Sequence, residues 1–273
     1  MENYIFTYSA IILYFACAAL LFFHIKQPAD NATGLSKKHI VLIGLGGLCL
    51  HSFALYNGMI SPLGINLGFY NAIVLVSAFI TLFILIAVWR YPVEILAIML
   101  LPVAALTLLL NTNSDTGHLL PQQSSKALIF HILTSIIAYS ILALAALQAI
   151  FLSIQNKFLH AHQPGGIIKL MPPLRNMEVL LFEVIVVGFI ALTISLGSGL
   201  AFLENMFAQH LVHKTSLSLL ALALFGVLVA GRQFAGWRGK RAVYLYLWGF
   251  FILCLAYFGS RYVLEEILGR SWG

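Results

Sequence analysis

Long apolar runs alternate with short polar or turn-rich breaks along the whole chain. The runs are Tyr4–Phe23, Ile40–Asn57, Leu67–Trp89, Val93–Asn111, Ala127–Ile154, Val179–Leu203, Leu211–Gly231 and Ala242–Leu264. Each is close to the ~20 residues that carry a helix across a bilayer at ~1.5 Å per residue. Apolar and polar positions do not alternate within them. In hydrocarbon every backbone polar group must be paired, so runs of this kind predict helices and not barrel strands. The breaks carry turn residues, as in Pro28-Ala29-Asp30-Asn31, Ser61-Pro62-Leu63-Gly64, Tyr91-Pro92 and Pro164-Gly165-Gly166. The expected fold class is all-α, a polytopic transmembrane helical bundle of eight spans in a single membrane domain over residues 1–273. The longest polar stretch, Gln155–Glu178, is too short for a soluble domain, and no fixed-period repeat is visible.

Composition agrees. The chain is 61% hydrophobic and 9% charged, against roughly a quarter charged in soluble domains, and its mean hydropathy is +0.97. The first run has no basic residues before it and ends Phe22-Phe23-His24, without the small residues of a cleavage site, so it is expected to stay as a span. Cys17, Cys49 and Cys254 all sit in apolar runs and form no Cys-x-x-Cys pair. They read as apolar filler, which excludes a disulfide framework, a zinc site or a covalent haem-attachment motif.

The formal charge of +6 is explained by topology. Lys26, Lys37, Lys38, Arg90, Lys157, Lys169, Arg175, Arg232, Arg238, Lys240 and Arg241 fall in the odd-numbered loops, which makes eleven of the fifteen Lys and Arg residues. Lys126, Lys214, Arg261 and Arg270 fall on the other side. Positive residues stay in the cytoplasm, so both termini are expected outside, in a bacterial inner membrane. A basic surface for nucleic acid is not needed to explain the charge.

Polar residues inside a membrane are costly and mark function. On this topology His51 lies past the middle of span two, His131 about one turn inside the outer end of span five, and His213 at the outer mouth of span seven, after His210. His24, His39, His160 and His162 fall at the cytoplasmic boundary and His118 in an outer loop, as ordinary interfacial histidines do. One membrane histidine alone reads as an interhelical hydrogen bond. Three at similar depth on separate helices also suit a b-type haem, whose iron takes two axial imidazoles.

His131, Ser135 and Tyr139 recur at i, i+4 and i+8, one polar stripe on one helix face. That stripe either orients a cofactor or bonds to a neighbouring helix. Lys214 and Arg261 lie near the same surface, where they either meet the carboxylates of a ligand or snorkel to the interface. Glu178 suits a helix N-terminus, and Glu183 has only inner-loop bases such as Arg175 in reach.

The stretch Gly236-Trp237-Arg238-Gly239-Lys240-Arg241-Ala242, then Gly249-Phe250 and Ala256-Tyr257-Phe258-Gly259, resembles the CcsA-type cytochrome c assembly family. The helix holding His131 and Ala138-Tyr139 is similar to that family's histidine helix, and the likeness covers most of residues 40–268. It implies a multi-helix protein that binds or passes haem near the outer membrane face, where apocytochrome thiols are attacked.

Three departures limit what carries over. The tryptophan-rich loop of ligase members is absent, since Glu204–Val212 holds no Trp. Ala230 stands where those members place a histidine, and no histidine follows Arg261. The match is therefore to a shorter, YpjD- or HemX-like branch. Of the family's histidines, His131 matches best, then His51, while His213 belongs to the shorter branch's motif.

The expectation is a haem b-binding protein of cytochrome c assembly that positions haem and does not turn it over, working with other maturation proteins. Two of His131, His51 and His213 would ligate iron, with Arg261, Lys214 and Tyr139 around it. A small-molecule or ion transporter, or a membrane regulator of haem biosynthesis, are the alternatives. Polar residues gathered on one side without a repeat count against the transporter.

Overall fold

A computed structural model describes residues 2–26, 35–61, 64–111, 119–121, 125–161, 170–202 and 212–259. Among these are eight helices long and apolar enough to cross a membrane, and the fold is all-α apart from three very short strands. The chain divides into two compact units, one holding the first four helices and the other the last four.

The first unit contains α1 (Glu2–Lys26), α2 (Lys37–Met59), α3 (Phe69–Arg90) and α4 (Glu94–Asn111). Helix α1 packs on α2 and α4, and α3 packs on α2 and α4. Close approach of α2 to α1 needs Gly47, because a methyl group there would meet the Tyr14 ring at 3.0 Å. Small residues of this kind let membrane helices gain dispersion contact that burial from water does not supply. Helix α3 stops where Tyr91 turns extended before Pro92, as the residue before a proline tends to.

At the start of α4, Lys37 and Glu94 form a 3.0 Å ion pair, and the same ammonium donates to the Tyr91 carbonyl. At the other end, β1 (Ile60–Ser61), β2 (Gly64–Asn66) and β3 (Leu119–Pro121) form an antiparallel sheet in the order β1-β2-β3. The apolar pattern predicts only a turn at residues 61–64. β1 and β2 form a local hairpin, but β2 takes its second partner, β3, from a loop more than fifty residues away, and strands this short show no local period that announces them.

The second unit contains α5 (Lys126–His160), α6 (Leu174–Phe202), α7 (Val212–Ala235) and α8 (Gly239–Cys254), the last running into a π-helical turn at Leu255–Gly259. Helix α5 begins at Ser125, whose Oγ accepts from the Leu128 amide at 3.2 Å, a side-chain N-cap. At 35 residues it outruns the expected span and carries Lys157 and His160 in its last turn.

Helix α5 packs along α6 through Gly188, where a methyl would come within 2.6 Å of Leu142. Glu178 ties three helices at the α6 N-terminal end. Its Oε1 lies 3.5 Å from Arg232 on α7 and accepts from the Gly239 amide of α8 at 3.2 Å. Arg232 in turn covers the Phe182 ring at 4.3 Å and donates to the Trp237 carbonyl. Glu178 is thus a joint between helices and does more than complement a helix dipole. Glu183 is exposed.

Candidate functional site

Both spanning histidines are held by hydrogen bonds, and the two are held differently. In the first unit His51 has no exposed surface at all. Its Nδ1 lies 2.9 Å from the Tyr14 hydroxyl of α1, with the rings edge to face. Thr81 of α3 also bears on that hydroxyl. Nε2 of His51 is sealed and makes no well-formed hydrogen bond, the Val74 backbone being the polar group near enough to act on it. Tyr14 and His51 therefore join α1 to α2 through a buried polar pair, with the buried Thr81 of α3 beside it.

In the second unit His131 is half-buried, five residues into α5. Its Nδ1 lies 2.8 Å from the Ser195 carbonyl of α6 and 3.4 Å from Ser198 Oγ. One turn on, Ser135 Oγ donates to the His131 carbonyl and lies 2.6 Å from Ser195 Oγ. Nε2 of His131 has no hydrogen-bond partner among the described residues, and the residue as a whole is only half-buried. The ring thus commits Nδ1 to α6, and Nε2 makes no bond among the described residues.

Near this ring the unit places a cation, which leads on to a cluster of aromatic side chains. Lys214 on α7 is close enough to act electrostatically on His131, and its Nζ lies 4.9 Å from the centre of the Tyr257 ring. Tyr257 sits in the π-helical turn and packs against Phe258 and Tyr139, with centroids 5.0 and 5.5 Å away. The Tyr139 hydroxyl donates to the Leu253 carbonyl, joining α5 to α8 just before that turn. A π-turn shifts the hydrogen-bond register of a helix, and such turns are frequent at functional sites.

The structure places Lys214 near His131 and against the Tyr257 ring, which in turn packs on Tyr139, and it builds His51 into the other unit. His213, next to Lys214, is exposed. Arg261 lies outside the described residues, as do His118, His162 and His210. The i, i+4, i+8 stripe of α5 splits in two, since His131 and Ser135 face α6 while Tyr139 reaches α8. His39 and His160 are exposed and bond locally, to Ser36 and to the Asn156 carbonyl.

Sequence reasoning missed Ser195 and Ser198. Their i, i+3 spacing on one face of α6 was the available signal, and alone it is a common way for serines to sit in a membrane helix. Tyr14 was also missed as a partner of His51, because an aromatic in an apolar run looks like packing.

These motifs lie inside the region that matches a known family. The profile described as cytochrome C assembly protein matches residues 40–268, and thus most of the chain. The chain belongs to the cytochrome c assembly protein family. It is 29% identical over 270 residues to the inner membrane protein YpjD of Escherichia coli K12, covering 96% of this chain and 99% of that protein. It is 27% identical over 157 residues to the cytochrome c biogenesis protein CcsA of Chlamydomonas reinhardtii, covering 57% of this chain and 43% of CcsA. An uncharacterised 28.8 kDa protein of Azospirillum brasilense matches at 29% over 141 residues, about half of each chain.

Proposed function

We propose that this family member holds a b-type haem in the α5–α8 unit, with His131 Nε2 as the protein ligand to iron, and that it handles haem during cytochrome c assembly. The observation that carries the reading is how the two rings are held. His131 commits Nδ1 to the Ser195 carbonyl and its Nε2 has no hydrogen-bond partner among the described residues, whereas Nε2 of His51 is sealed. An axial ligand needs a nitrogen lone pair that a metal can reach. His213, exposed on α7 beside Lys214, is the second ligand candidate, and His51 serves as a clamp between α1 and α2.

The surrounding residues suit the group. Lys214 provides a cation for a propionate, and Tyr257 and Phe258 provide aromatic surface for a porphyrin. When bound, haem supplies a redox-active iron and the vinyl groups to which apocytochrome thiols add, while the protein binds, orients and protects it. The membrane is the inner one, consistent with the relative named as an inner membrane protein. The His131 end faces outward, consistent with the excess of Lys and Arg in the loops at the opposite end. Other cytochrome c maturation proteins are the partners.

The test is a reduced-minus-oxidised absorption spectrum of the chain purified in detergent, with and without added haemin. A Soret band that His131→Ala weakens or shifts is expected. No band under either condition refutes haem binding.

A further inference from the structure

Every hydrogen along the α5–α6 seam can be placed. Ser198 Oγ donates to the Ser195 carbonyl at 2.7 Å, and Ser135 Oγ donates to the His131 carbonyl at 2.7 Å. A hydroxyl has one hydrogen, so Ser195 Oγ is the donor in its 2.6 Å contact with Ser135 Oγ. Both groups facing His131 Nδ1 are then acceptors, the Ser195 carbonyl at 2.8 Å and Ser198 Oγ at 3.4 Å. Nδ1 carries the proton, and the neutral ring has its lone pair on Nε2. The bonds close a circuit from the His131 ring to the Ser195 backbone, through the Ser195 and Ser135 hydroxyls, and back to the His131 backbone.

We propose that Ser195, Ser135 and Ser198 are positioning residues that lock His131 in its Nδ1–H tautomer and present Nε2 outward as the coordinating nitrogen. What Nε2 meets rests on the haem reading above; which nitrogen is free rests on the seam alone. A metal-binding imidazole usually donates its other N–H to a carbonyl or carboxylate, which fixes the ring and strengthens the ligating nitrogen. Here the partner is a backbone carbonyl on another helix. It holds the ring only while α5 and α6 keep their register, and the paired Ser135 and Ser195 hydroxyls hold that register one turn away. The other spanning histidine lacks this arrangement, since Tyr14 is a hydroxyl that can donate or accept.

Nitrogen-15 NMR of the histidine-labelled full chain in detergent, without haem, reads the tautomer directly. The His131 resonances are identified by their loss in His131→Ala. A protonated Nδ1 with a bare Nε2 is expected, and a proton on Nε2 in the unaltered chain overturns the proposal. In the Ser135→Ala/Ser195→Ala double variant the Nε2–H form should become populated. The Ser135→Thr/Ser195→Thr pair, which keeps both hydroxyls, should restore the original tautomer.

Haemin titration of the same samples separates the two readings. Loss of an outer partner of a ligating histidine weakens metal binding by roughly 10- to 100-fold, so about tenfold is expected for the alanine pair and recovery for the threonine pair. Equal haemin affinity in both pairs removes the positioning role. An Nδ1–H tautomer that haemin leaves unperturbed refutes the haem reading, while the lock itself stands.

Discussion

Replacing Tyr14 by Phe removes one hydroxyl from the interior of the first unit and leaves its aromatic ring in place. His51 has 0% exposure, its Nδ1 has the Tyr14 hydroxyl at 2.9 Å, and its Nε2 already lacks a partner. The change therefore strands the second nitrogen of a sealed imidazole. A buried polar group left unpaired costs about 1–3 kcal/mol in soluble proteins. Interhelical hydrogen bonds in membranes average ~0.6 kcal/mol and reach ~1.7, because the unfolded helices also find partners in lipid. No water can replace the hydroxyl at a sealed atom, which places Tyr14→Phe near the upper part of the membrane range, at about 1.5 kcal/mol.

Taking out both partners with Tyr14→Phe/His51→Leu should be far milder, since no polar group is then left unpaired. The coupling energy of the cycle is expected to be about 1 kcal/mol. Unfolding by SDS in mixed micelles, followed by far-UV circular dichroism, measures each corner of the cycle. A coupling near zero would refute the clamp. The haemin spectrum should be the same in all four proteins, so loss of the Soret band in folded His51→Leu would return His51 to the ligand set.

Three further outcomes follow from the second unit. Gly188→Val forces a side chain to within 2.6 Å of Leu142 at its Cβ alone, so α5 and α6 must separate, lowering stability by about 1–3 kcal/mol. The same variant should weaken haemin binding, because the His131–Ser195 bond spans that seam. Tyr139→Phe removes the bond to the Leu253 carbonyl, with an expected loss of about 1 kcal/mol in the SDS titration. A shifted haem band in that variant would report movement of the π-turn carrying Tyr257. Glu178→Ala unpairs Arg232 and frees the Gly239 amide; with both charged side chains about a fifth exposed, the expected loss is about 1 kcal/mol and shrinks at high salt. A Glu178→Ala variant with unchanged stability and unchanged protease sensitivity of the Gly236–Arg238 loop would remove its role as a joint.

The amino-acid sequence alone determined the class, the number of crossings and the polar residues that matter. Hydropathy is a sum over neighbours along the chain, so the eight helices among the described residues and the break at Pro92 follow from local composition. The cost of an imidazole in hydrocarbon is equally local, and it marked His51, His131 and His213 alike. Tertiary structure decided what those rings do. Tyr14 stands 37 residues from His51, and Ser195 stands 64 from His131. Both separations exceed a helix, so no periodicity encodes them. A hydrogen-bond partner is chosen by which helix faces pack together, and packing sealed Nε2 of His51 while committing His131 to α6 through Nδ1.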